Sequence, residues 1–226
     1  MNTLRFLELL QLCDSAFPSG AFAHSFGLET AVVEGRVHDE TTFAVWLEDY
    51  LSCALGPCEA SAIALAMTAR CAYHDLDPLL FAVTSAAEAR TALKRIGRSL
   101  RDAYTVVGLA GAAFRAYGED VDAGRAQGHP ALWTAAAMDA LGVEPELAAC
   151  AYLSSATAAL ASVASRIVPL GQRSTQRLLR GTRPVIARVA QEALGAQDLE
   201  GLGAWAIGPE IDALRHRLLD ARVFSS

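Results

Sequence analysis

Between residues 39 and 56 the chain reads DETTFAVWLEDYLSCALG, and its apolar positions, Phe43, Trp46, Leu47, Tyr50, Leu51, Ala54 and Leu55, return every three or four residues. That period buries one side of a helix, whereas a strand buries alternate residues. Asp39 stands where a helix N-cap belongs and Gly56 where a helix stops. Pro57 then opens a helix with Ala60, Ile63, Ala64, Met67 and Cys71 on its inner face. Another begins near Pro78, and after a break near Thr84 or Ser85 a long helix is expected to reach about Tyr117. GEDVDAGRAQGHP reads as a loop. His129 and Pro130 introduce ALWTAAAMDALG, closed by Gly142, and Pro145 opens an alanine-rich helix that must end before Pro169. Further helices follow from about Ser174, from Pro184 to Leu194, and within PEIDALRHRLLDARVFSS. No window alternates as a strand and no repeat shows. The prediction is an all-α single domain over 1–226, a bundle of about eight to ten helices without a sheet.

Hydrophobic residues make up 53% and charged residues 19% of the chain, so part of its surface is expected to lie against other proteins. The net charge of -6 argues against nucleic acid as a partner. Eighteen of the nineteen cations are arginine, the residue suited to carboxylate contacts across interfaces, although genome composition explains the bias equally well. Five cysteines without a CxxC pair fit reduced thiols in the cytoplasm. MNTLRFLELLQLCDS has no signal-peptide order. Residues 147–165 are uncharged and long enough to cross a bilayer, but alanine and serine dominate them, and they read as a buried helix, with no membrane contact expected.

Chemistry is sparse. The only lysine, Lys94, lies in LKRIG, so the chain has no P-loop. The five histidines form no metal-ligand pair. Cys13 or Ser25 with His24 is the best nucleophile arrangement, and neither an elbow motif nor an orienting carboxylate supports it. Glu29, five residues after His24, does not share its helical face. Arg90, Lys94, Arg98 and Arg101 recur along one side of a helix, which suits either a solvated face or an acidic partner.

The stretch DSAFPSGAFAHSFGLE at 14–29 resembles the N-terminal signature of the urease accessory protein F family, UreF. ARTALKRIGRSL, GHPALWTAAAMDALGV, SRIVPLGQRSTQRLL and PEIDALRHRLLDARVFSS resemble its other blocks in the same order, although Arg217 stands where the family often has glutamate. The resemblance implies an all-helical, usually dimeric, non-catalytic scaffold of urease maturation. It would bind accessory protein D or H, recruit the GTPase accessory protein G and serve apo-urease, while nickel and GTP belong to its partners. On the residues themselves, three contact surfaces are expected. Pro18, Phe22 and His24 form a stiff turn carrying aromatic anchors. Arg173 and Arg177 share a helical face. Arg215, His216 and Arg222 lie on an amphipathic segment, from about 209 onward, that could stay loose until a partner supplies its other wall. Two other readings remain: a nickel chaperone using His24, Cys13 or His216, and a helical enzyme for a small apolar substrate.

Overall fold

The computed structural model describes residues 3–226; residues 1 and 2 of the expected domain lie outside the described residues. Every regular element in it is helical. In chain order these are α1 (Thr3–Cys13), α2 (Leu28–Val33), α3 (Glu40–Tyr50), a π-helical stretch (Leu51–Ala60), α4 (Ser61–Met67), α5 (Tyr73–Val83), α6 (Ala87–Val106), α7 (Ala112–Asp122), α8 (Pro130–Ala140), α9 (Pro145–Ile167), α10 (Gln172–Gly181), α11 (Arg183–Ala193) and α12 (Ile207–Arg215).

Two helices form the centre. α8 is buried from Pro130 to Met138, as a helix apolar on all sides must be, and α4, α6, α7 and α9 surround it. Trp133 at its middle lies 4.6 Å from the Tyr117 ring and 5.0 Å from Phe114. α9 buries Leu153, Leu160 and Val163 against the π-helical stretch, α10 and α11. Its small residues allow this close approach. The rod Glu40–Met67 is also long and apolar enough to span a bilayer, but 72% of its most apolar window is buried in the core.

Asp39 caps α3 as expected: its carboxylate accepts the Thr42 amide at 2.8 Å, and the Thr42 hydroxyl accepts the Asp39 amide at 3.0 Å. Gly56, however, is no stop. The helix continues through Pro57 into α4, with π-type turns where proline removes a donor. The Cys53 carbonyl, four residues before Pro57, accepts the Trp205 amide instead, at 2.8 Å. Gly56 serves packing: a Cβ there would sit 2.4 Å from Cγ1 of Val189 on α11.

Three further expectations are corrected. α5 starts at Tyr73, five residues before Pro78, because Leu76, Leu80, Phe81 and the buried Asp77 share its inner face. The long helix ends at Val106, since Gly108 takes φ 78° and the Leu109 amide closes back on the Tyr104 carbonyl at 3.0 Å. The loop before α8 is shorter than GEDVDAGRAQGHP, because α7 runs to Asp122. Asp77 organises that loop: its carboxylate accepts the amides of Gln127, Gly128 and His129 and the Tyr117 hydroxyl, all within 3.0 Å. His129 caps α8 through Nδ1, which accepts the Ala131 amide at 3.3 Å.

Candidate partner-docking site

The stretch 14–29 follows α1 as a compact turn. Asp14 opens it, its carboxylate accepting the Ala16 amide at 2.7 Å, and Phe17 is buried in a stack on Tyr104 with centroids 5.4 Å apart. Pro18 is exposed, Gly20 at φ 76° turns the chain, and a single 3-10 turn, Ala21–Ala23, carries the half-buried Phe22. Arg166 holds this turn by donating to the Phe22 carbonyl at 2.8 Å.

Its last residues are fixed by the other end of the chain. The Ser226 backbone oxygen accepts the amides of Ser25 and Phe26 and the Ser25 hydroxyl, at 2.5, 3.2 and 2.7 Å. His24 Nδ1 lies 3.0 Å from the Ser226 hydroxyl, and Ser225 donates to the Ala23 carbonyl at 3.0 Å. These contacts hold Phe26 at φ 49°, a conformation uncommon for a side-chain-bearing residue. Gly27, at φ 93°, touches α12: a Cβ there would lie 2.7 Å from the Pro209 oxygen and 2.8 Å from the Ala213 nitrogen. Only glycine fits both demands.

Glu29, 3% exposed, stands at the junction. Its carboxylate accepts the Val223 and Phe224 amides at 2.6 and 3.1 Å and faces His216 Nε2 at 2.9 Å. The other ring nitrogen of His216 faces Glu88 at 2.9 Å, and Arg222 pairs with the second Glu88 oxygen at 2.8 Å. A carboxylate oxygen therefore stands at each nitrogen of the buried His216 ring and holds it from both sides. Burial pushes the Glu88 carboxyl up, and the hydrogen bonds and charges of His216 and Arg222 outweigh it, holding it below the usual range. Arg36 clasps both carboxylate oxygens of the buried Asp212 and reaches Glu34 at 2.8 Å.

The structure thus joins two surfaces that were read separately, the 14–29 turn and the tail. It also withdraws His24 and His216 from any surface, because each is buried against partners within the chain. Arg215 and Arg222 are exposed and paired, with Glu34 at 3.4 Å and with Glu88. The segment from 209 onward is docked here rather than loose. Arg177 is 2.9 Å from Glu40, while Arg173 on the same helix is exposed. Glu88 and Asp212 went unnoticed in the sequence, and Glu29 was weighed only against His24, because their partners lie more than a hundred residues away.

With its inner face held, α12 turns Ile207, Ile211 and Leu214 outward, and Leu218 continues the row; they are 71%, 43%, 46% and 71% exposed. The spacings of four, three and four make one apolar ridge. Under the turn lies a cavity of about 180 Å³ lined by Cys13, His24, Tyr50, Glu59, Tyr152 and Glu210, among others. Burial raises the Cys13 thiol, which keeps it protonated, and lowers His24, the latter with help from the Arg95 charge. Burial also pushes Glu59 up to about 8.

The UreF family model matches residues 37–183. The chain belongs to the UreF family. Urease accessory protein UreF of Arthrobacter sp. (strain FB24) is 38% identical over 220 residues, covering 97% of this chain and 96% of the relative. UreF of Bacillus sp. (strain TB-90) is 36% identical over 228 residues, covering 98% and 99%, and that of Lachnoclostridium phytofermentans is 34% identical over 226 residues. The UreF alignments therefore take in the turn and the tail as well as the central helices.

Proposed function

We propose that this chain is a non-catalytic scaffold of urease maturation in the cytoplasm, working as a homodimer. It binds accessory protein D or H and recruits the GTPase accessory protein G, so that GTP hydrolysis is coupled to nickel insertion into apo-urease. The observation that carries this reading is the α12 ridge, four large apolar side chains exposed on a segment that buried polar contacts hold rigid. A rigid apolar row loses little entropy when a groove covers it. Pro18 and Phe22 extend the contact at the turn, and Arg173 and Arg177 on α10 suit carboxylates of a further partner.

The test is co-expression of urease with its other accessory proteins, with and without this chain, reading nickel content and urea hydrolysis. Both should drop sharply without it. In parallel, Ile211→Asp with Leu214→Asp, at exposed positions, should abolish capture of accessory protein D or H while circular dichroism stays unchanged; full capture would defeat the ridge.

A second reading, direct nickel binding, draws on the cavity, where Glu59 and the buried, unpartnered Oε1 of Glu210 both lie. Calorimetric titration of the isolated chain with nickel decides it, since the scaffold reading expects no tight stoichiometric site.

A further inference from the structure

Arg90, Lys94, Arg98 and Arg101 run along one side of α6, and the structure divides them. Arg90 donates to the Thr84 and Ser85 carbonyls at 2.6 and 2.8 Å and fastens the turn into the helix. Arg101 makes two 2.6 Å bonds to Asp122 and lies over the Trp133 ring. Lys94 and Arg98 remain, with Arg95 beside them, and all three are exposed. Among the described residues none of the three has a carboxylate partner. Lys94 rests over the Phe81 ring at 5.6 Å, Arg95 is felt only as a charge at His24, and Arg98 forms no ion pair with Asp102 one turn on.

Three bare cations on one turn repel each other, in a molecule of net charge -6 that pairs or bonds most of its other arginines. Among the described residues only the Phe81 contact of Lys94 offsets that repulsion. The 14–29 turn meets this helix at Arg95: Gly20 sits against Ser99, which shares a helical face with Arg95, and the exposed Pro18 and half-buried Phe22 each lie two residues from Gly20. About two turns back along the same helix, Glu88 holds the tail.

We propose that Lys94, Arg95 and Arg98 form a docking ledge for an acidic protein segment, whose carboxylates meet the cations and whose apolar residue rests on Phe22. The proposal relies on the reading that this chain acts by binding other proteins, and it adds a surface separate from the α12 ridge. The overall negative charge disfavours the long phosphate tracks of nucleic acid and of anionic membranes, which need a wider basic footprint.

The probe is a fluorescent eight-residue peptide of glutamates around a Leu-Phe pair, measured by anisotropy with the full chain. Wild type should bind it at about 50 mM salt and release most of it at about 300 mM. Lys94→Gln/Arg95→Gln/Arg98→Gln, with unchanged circular dichroism, should bind about tenfold more weakly. Equal affinity of the two proteins, no binding by wild type, or tighter binding of duplex DNA or phosphatidylserine vesicles through the same residues would overturn the ledge. Capture of accessory proteins by wild type is scored separately: its absence sinks the scaffold reading, whereas intact capture alongside a negative peptide result sinks the ledge alone.

Discussion

Two residues of the turn carry more than their size suggests. Gly27 combines a left-handed backbone with contact to α12, so Gly27→Ala should destabilise the fold by about 2–4 kcal/mol, read as a lower urea midpoint. Among the described residues His216 is the only side chain hydrogen-bonded to the buried Glu29, and His216→Ala would leave that carboxylate with two amides alone. Removing one partner of a buried pair costs about 3–5 kcal/mol, and the lower end applies here because Glu88 keeps Arg222. A midpoint within error of wild type would mean that the pair does not hold the tail. Such pairings were invisible in the sequence for a simple reason: His24 and Glu29 are near neighbours there, yet each bonds to a residue at the far end. What local chemistry decides was readable, as with Asp39 at the start of α3 and His129 with Pro130 at the start of α8.

At the scale of elements, glycine and proline were the ambiguous signs. Gly56 and Pro57 looked like a helix end and a helix start, and only the Val189 contact and the Trp205 amide, both from distant segments, reveal one continuous rod. Gly108, which does end a helix, lies inside the span that the periodicity carries to about Tyr117. The tail from Arg215 to Ser226 makes its own prediction. Because Glu88 is held below its ordinary value, the stability it lends is present above about pH 4.5 and is lost as pH falls through the folded value. Hydrogen exchange at the Val223 and Phe224 amides, corrected for intrinsic rates, should therefore speed up at about pH 3.5 relative to pH 7, ahead of the amides in α8. Equal protection at both values would remove Glu88 from the fastening.

For the whole molecule, the opposite sign comes from Glu59. Its folded value of about 8 lies above that of an unfolded glutamate, so between about pH 4.5 and 8 the native state holds a proton that the unfolded chain has released. Stability contributed at this site falls through that window, by at most about 1.4 kcal/mol per pH unit. Melting temperature should decline from pH 5 to 8, and Glu59→Gln should flatten the decline; an unchanged slope would show the carboxyl to be solvated. The all-α class followed from periodicity alone, whereas the cavity, and a carboxyl inside it, depend on how α1, the rod, α6 and α9 meet. The tail lends the molecule a further property. Ser25 and Phe26 wait for an acceptor 201 and 200 positions downstream, so on the ribosome the early turn stays unfinished until translation has passed residue 226. A partner that reads the α12 ridge would therefore find it set in place only after these two distant segments have met.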